Sequence, residues 1–339
     1  MAVTDTNTNL STNKPTAAQS VGTFLRGLLA RQEAAVLIPF IVLTLFFYLR
    51  NPAMLSPLTV TSILRTMALP GLIGMGMVML MISGEIDLST ASVMSLTAVF
   101  ASVLMRDAGM SFLVASICAL VVAIVVGLVN ALLTVKIGVH AVLTTLGVGF
   151  AVRGISYMFS NGLPIYPLPP EVTEFGSLRP LGVSSAFTLM LIVMVVVQLI
   201  LNRTRWGAMI FATGSNKLAA QTSGINTNLV KTLCFVATSF LAGCSGLLYM
   251  SQLPMPAGDP IIGRNLELDI IAGVILGGVS FFGGRGSAVG TLFGVMLMQI
   301  VRTGMVVARF DPYLQVPVLG ILMILAASVD VIRHRRRER

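Results

Sequence analysis

The 339-residue chain is 55% hydrophobic and only 10% charged, with a mean hydropathy of +0.92. Soluble domains carry about 25% charged residues, so this composition excludes an ordinary soluble enzyme and describes an all-α, polytopic integral membrane protein. The net charge of +9 does not make it a nucleic-acid binder, because the basic residues fall in short clusters at span ends and in a tail, the pattern that sets membrane orientation.

Residues 1–32 are rich in Thr, Asn and Ser and read as a disordered tail. No cleaved signal peptide is expected, since the first apolar run starts late and lacks a small-residue cleavage site. A helix needs about 20 apolar residues to cross a hydrocarbon core of about 30 Å. That measure predicts about ten spans, near 33–49, 62–83, 88–105, 112–135, 140–160, 184–201, 230–251, 266–282, 287–308 and 312–332. An even number puts both termini on one side. Lys14, Arg26, Arg31, Lys136, Arg285 and the arginine cluster of the basic tail 333–339 then share that side with a central basic loop, 202–231. By the positive-inside rule it is cytoplasmic. The opposite face receives 51–61, the proline-rich 161–183 and 252–265, landing ground for an external partner.

The turn Gly84-Glu85-Ile86-Asp87-Leu88-Ser89 joins the second and third spans. An ionised acid at a span centre costs about 2.5–3.5 kcal/mol, so this turn sits at the inner interface or faces a wet cavity. Asp87 or Ser89 can cap the following helix, which leaves Glu85 without a local structural reason and makes the turn a candidate transport path or gate. Arg153 lies inside the fifth span, followed by Asn161 at its outer end. It either snorkels outward or lines a polar route. Glu267 and Asp269 open the eighth segment near the outside, at the interface or on the path. Gln299 and Arg302 in the ninth span can bond a polyol or a neighbouring helix.

The central loop carries Arg203, Arg205, Lys217 and Lys231 and no acid. Within it Leu218–Ile225 begins with helix formers and reaches Gly224 as a stop. A short helix on the cytoplasmic face is expected to dock on a separate soluble engine, and 212–225 is the stretch it would push.

The eighth segment is short and contains Gly273, Gly277 and Gly278. It reads as a short or tilted crossing, with a re-entrant hairpin as the other option. Gly286, Gly290 and Gly294 recur every four residues and form a smooth strip for close backbone approach, either between subunits or within the chain. A faint likeness links Met79–Met94 to Ile275–Gly290. Cys118, Cys234 and Cys244 lie in apolar runs without CxxC spacing, and His140 and His334 are far apart. Neither a disulfide framework nor a metal site is expected.

Four stretches carry a resemblance: GEIDLSTASVMSL (84–96), TTLGVGFAVRGISYMFSNGLPI (144–165), GAMIFATGSNKLAAQTSGI (207–225) and NLELDIIAGVILGGVSFFGGRGSAVGTLFG (265–294). In these the chain resembles the permease subunits of bacterial ABC importers for monosaccharides of the ribose, xylose and arabinose type, from about residue 35 to 332. The resemblance implies an inner-membrane permease and no enzyme, paired with a second permease subunit. It also implies a cytoplasmic ABC ATPase that holds the ATP and Mg and a periplasmic sugar-binding protein, with no cofactor on this chain. Ala219-Ala220-x-x-x-Gly224 looks like the ATPase-docking motif of such permeases, with Ser215, Asn216 and Lys217 leading into it. Leu218 stands where that motif usually has an acid, and Glu85 where the family's turn usually has a small residue. No GxxxxGK[ST] phosphate loop occurs in the sequence, so an ATP-driven mechanism needs the separate ATPase. The rival expectation is an ion-coupled secondary sugar transporter.

Overall fold

The computed structural model describes residues 34–252, 257–261, 263 and 266–338. The tail 1–32 and parts of 252–265 lie outside the described residues. Helices α1 (Ala34–Arg50), α2 (Pro57–Ile82), α3 (Thr90–Asp107), α4 (Phe112–Ala131, continued by a π turn Leu132–Ile137) and α5 (Ala141–Ser160) come first. A short α6 (Pro170–Ser177), α7 (Ser185–Arg203), α8 (Arg205–Ser215) and α9 (Lys217–Thr222) follow. The chain closes with α10 (Thr227–Gln252), α11 (Leu266–Leu276), α12 (Ala288–Val307) and α13 (Gln315–Glu338). Each predicted span overlaps one of these helices, though 266–282 is helical only as far as Leu276. The last does not stop at a tail, because α13 runs on through Glu338.

Six of the described helices, α2, α4 with its π turn, α5, α7, α10 and α12, are long and apolar enough to cross a membrane. α2 and α10 form the centre. Met67, Met75, Met77 and Met81 of α2 and Phe235, Ala242 and Met250 of α10 are all fully buried or nearly so. Gly76 lets the two approach closely, since a Cβ there would lie 2.6 Å from the Thr238 backbone. α4, α5 and α7 instead expose broad apolar faces, including Leu113, Val121, Phe150, Met158, Ile192 and Leu199. Such patches on a soluble protein would be a liability, whereas here they form a surface for lipid or a partner helix.

α3 is buried along most of its length yet falls outside the apolar set. Its inward face carries Ser92, Ser95, Thr97 and Ser102, which the interior tolerates because each hydroxyl is hydrogen-bonded.

α11 is short, about 16 Å at 1.5 Å per residue, and runs antiparallel to α12. Asp269 faces Arg302 near the end of α12, and Gly277 faces Gly290 near its start. The chain then continues without helix until Gly284 N–H donates to Ile82 O at 2.8 Å. The segment thus leads from one end of the bundle towards the other, as a crossing would, and does not turn back as a hairpin. Ahead of α11 the chain is irregular and pressed against α3. Gly258 pairs with Ile165 in an isolated antiparallel bridge, Pro260 O accepts from Ser95 Oγ at 2.9 Å, and Gly263 lies beside Ala91 and Met94. Irregular backbone at such depth is stable only when protein covers it.

Gly290 and Gly294 pack inside the chain. A Cβ on Gly294 would stand 1.9 Å from Gly273 O, and one on Gly290 2.1 Å from Gly277 O. Gly286 belongs elsewhere, against the side chains of Val279 and Ile82.

Candidate functional site: a polar seam and a docking turn

α3 and α5 meet along a polar seam that begins at the turn 83–89. Asp87 is fully buried, and its Oδ1 accepts from Ser89 N (2.7 Å) and Ser89 Oγ (2.6 Å). Ser89 occupies the N-cap position of α3 but makes no side-chain cap bond. The sequence expectation that either residue could cap resolves to Asp87 holding the turn from two residues upstream, an Asx arrangement. Asn130 of α4 donates to Ser89 Oγ at 2.8 Å, and Leu88 N–H donates to Thr145 Oγ1 of α5 at 3.0 Å. Burial pushes the Asp87 carboxyl up to about 6, against the lowering effect of its bonds from Ser89 and Asn130.

Glu85 has a partner 146 positions away. Lys231 Nζ, in the first turn of α10, donates to Glu85 Oε1 at 2.5 Å, and the two side chains are only 10% and 16% exposed. The residue left without a local reason is neutralised by the last cation of the central loop.

Further along the seam, Arg153 turns inward to α3, its Nε donating to Ser92 Oγ at 3.3 Å. It lies about 18 Å from the start of α5 and about 10 Å from its end, and its guanidinium reaches across to α3. One turn on, Ser156 Oγ stands 3.0 Å from Ser95 Oγ. Because the Ser95 proton goes to Pro260 O, Ser156 is the donor. Thr145, Gly149, Arg153 and Ser156 thus form one face of α5, matched by Ser89, Ser92 and Ser95 of α3. These repeats of three and four were present in the sequence and are the signal that marks the seam.

Glu267 and Asp269, in the first turn of α11, part company. Asp269 is ion-paired with Arg302 of α12, while Gln299 donates to Thr303 of its own helix at 3.1 Å. The buried Oε2 of Glu267 has no hydrogen-bond partner, and neither has the buried Nη1 of Arg153. Asn161 is not on the seam. It is exposed at the C-cap of α5 with φ +51°, a left-handed position that asparagine tolerates, so its place is explained by helix termination.

At the end of the bundle that carries Glu85, the predicted 212–225 helix is two helices. Asn216, extended at φ −157°, breaks it and caps the second by accepting from Ala219 N at 3.0 Å. α9 ends in a Schellman turn. Ile225 N–H donates to Ala220 O and Gly224 N–H to Gln221 O, both at 3.0 Å, with Gly224 at φ +82°. Ala220 is buried, whereas Lys217, Leu218 and Ala219 face outward and Leu218 is 71% exposed. Ser215, at the end of α8, touches Gly284. Beside it Gly214 meets the turn backbone to backbone, since a Cβ there would lie 1.7 Å from Ile82 O. The basic loop is therefore in direct contact with the turn that holds Glu85 and Asp87. Among the described residues no group of His, Cys, Asp and Glu could hold a metal ion.

Apolar helices outside and a hydroxyl-lined, partly charged seam inside define a multi-pass membrane protein of the transport class. Residues 59–327 match the family described as the branched-chain amino acid transport system / permease component, and the chain belongs to this permease family. It is 32% identical to the ribose import permease protein of Escherichia coli (strain K12) over 303 residues, 88% of this chain and 93% of that one. It is 29% identical to the L-arabinose ABC transporter permease protein of Azospirillum brasilense, over 90% of this chain and 89% of the other. It is likewise 29% identical to the D-allose transport system permease protein of Escherichia coli (strain K12), over 86% and 88%. No solved structure matches the chain.

Proposed function

We propose that this chain is the inner-membrane subunit of an ATP-driven importer for a monosaccharide or similar polyol. A separate cytoplasmic ABC ATPase drives it, and a periplasmic binding protein delivers the sugar. Relatives named for ribose, L-arabinose and D-allose support the substrate class. The observation that carries the reading is α9, a capped single-turn platform with Leu218 and Ala219 outward and its base touching the Glu85 turn through α8. Movement of a bound ATPase would pass through that contact to the inner end of the polar seam. ATP and Mg bind the ATPase, and this chain carries no cofactor.

The basic loop, Lys136 and Arg285 support a cytoplasmic position for this end of the bundle and for both termini. The opposite end, with α6 and segment 161–183, receives the binding protein. The exposed faces of α4, α5 and α7 are available to lipid and to a second permease subunit.

The test is reconstitution of the chain with its neighbouring ATPase and binding protein into proteoliposomes. Uptake of labelled ribose, arabinose or allose should require internal-facing ATPase and ATP and be indifferent to protonophore. Uptake that persists without the ATPase and collapses with protonophore would establish ion-coupled transport instead.

A further inference from the structure

The opposed and unsatisfied charges at the start of α11 have no structural partner to account for them. Arg153 spends Nε on Ser92 and leaves a buried Nη1 free, while Glu267 leaves a buried Oε2 free. Gly263, four residues before Glu267, packs against Ala91 beside Ser92, which brings Glu267 to this part of the seam, yet among the described residues the close ion pairs are Glu85–Lys231, Asp269–Arg302 and Arg106–Asp107. A buried donor or acceptor without a partner costs about 1–3 kcal/mol, and more when charged, so both atoms favour a polar partner. The backbone points the same way. α11 is an 11-residue helix preceded by irregular chain packed against α3. In transporters, such interrupted helices mark where solute is held.

We propose that Arg153 and Glu267, with Ser92, form a polyol-holding subsite inside the permease, a resting point between the outer end and the Glu85 turn. The chemistry selects a neutral, vicinal diol. The guanidinium Nη1–H donates to one hydroxyl oxygen, and the neighbouring hydroxyl donates its proton to Glu267 Oε2, so each charged group is satisfied by one ligand. A cation would meet the guanidinium, an anion would meet Glu267 and Asp269, and an apolar solute would leave both atoms unpaired. Asp269 is held by Arg302, which leaves Glu267 as the acceptor. The inference rests on the importer reading for its route but not for its binding event.

The experiment therefore separates the two. The full chain alone, in lipid nanodiscs, is probed with millimolar D-ribose, L-arabinose and D-allose by saturation-transfer NMR. The wild type should transfer to the ring protons of at least one sugar, with the transfer lost in Arg153→Gln and in Glu267→Gln. Ser92→Ala should weaken it several-fold, and the monodeoxy analogue lacking either bridging hydroxyl should behave in the wild type as the parent sugar does in the variants. Arg153→Lys keeps the charge and the Ser92 contact and guards against misfolding; it should retain part of the signal. No transfer to any of the three sugars in the wild type, or equal transfer in the wild type and both neutral variants, overturns the subsite. So does full recovery in the charge-reversed pair Arg153→Glu with Glu267→Arg, which would make the two residues a structural pair. Failure of ATP-driven uptake by wild-type proteoliposomes, with nanodisc binding intact, would remove the importer reading and leave the subsite standing.

Discussion

Two helix seams in this molecule are built from opposite materials. Along α11 and α12 the contact is glycine on backbone, with Gly277, Gly290 and Gly294 leaving no room for even a methyl group and Gly273 tight against Val295. Along α3 and α5 the contact is made by hydroxyls and one guanidinium, and several buried polar atoms there, including Thr144 Oγ1 and Arg153 Nη1, are unpartnered. Backbones packed at van der Waals distance have one arrangement and resist sliding. Side-chain hydrogen bonds can exchange partners with solute or water at small net cost. The α11–α12 seam holds the shape, and under the importer reading proposed above the α3–α5 seam is the one suited to exchange its partners with a solute.

The largest effect is expected where the rigid seam is forced open. Gly294→Leu would drive side-chain atoms into the Gly273 carbonyl, where even a Cβ would lie at 1.9 Å, so its cost should exceed the roughly 1–3 kcal/mol of ordinary overpacking and the loss of the ion pair below. Because backbone cannot rotate out of the way as a side chain can, we expect loss of monodisperse protein in detergent. A normal size-exclusion profile would show that the seam yields. Ser156→Ala on the other seam is the matched control and should leave the profile unchanged.

The Glu85–Lys231 pair sits between these extremes. Removing one member of a buried ion pair leaves an uncompensated charge and costs about 3–5 kcal/mol when burial is complete; with 10% and 16% exposure we expect the lower part of that range. Lys231→Met should destabilise more than Lys231→Met combined with Glu85→Gln, because the double variant leaves no lone charge. Thermal unfolding in detergent measures the difference, and strict additivity would mean that the pair is uncoupled. Glu85→Gln alone should also change the uptake rate without changing assembly.

Much of the scaffold could be read in advance. Helix positions followed from apolar run length, and Gly224 announced the end of α9 because only a residue at ease with positive φ closes a Schellman turn. Glu85 stood out as a charge lacking a reason. Its reason, Lys231, was beyond reach because the pairing depends on how α10 returns past the turn, 146 residues later. The polar face of α5 was legible in principle at spacings of three and four, but Arg153 drew notice as a single charge and the serines and threonines around it did not. Asn216 was missed as a helix start, although asparagine is a strong N-cap residue. Residues 257–263 have the composition of a surface loop, and composition cannot distinguish a loop in water from one covered by α3. The two turns within 79–94 and 275–290 touch where Gly284 N–H meets Ile82 O.

The smallest expected effect is at the docking turn, and it is the most selective. Gly224 has open space around its α-carbon, so a valine there clashes with nothing. The cost comes only from its left-handed φ, about 1–2 kcal/mol for a residue with a Cβ. The bundle should absorb this locally, by unwinding the last turn of α9, with no loss of membrane insertion and little change in thermal stability. Under the proposed importer reading, recognition of the ATPase has no such reserve, because Leu218 and Ala219 are exposed residues of that short helix. Gly224→Val should therefore abolish co-purification with the ATPase while the subunit remains folded, and Ala220→Arg should do the same by wedging a charge under α9. Ala220 is buried, so its variant also tests the platform from beneath. Normal co-purification of both would move the docking contact off α9 and onto the exposed start of α8.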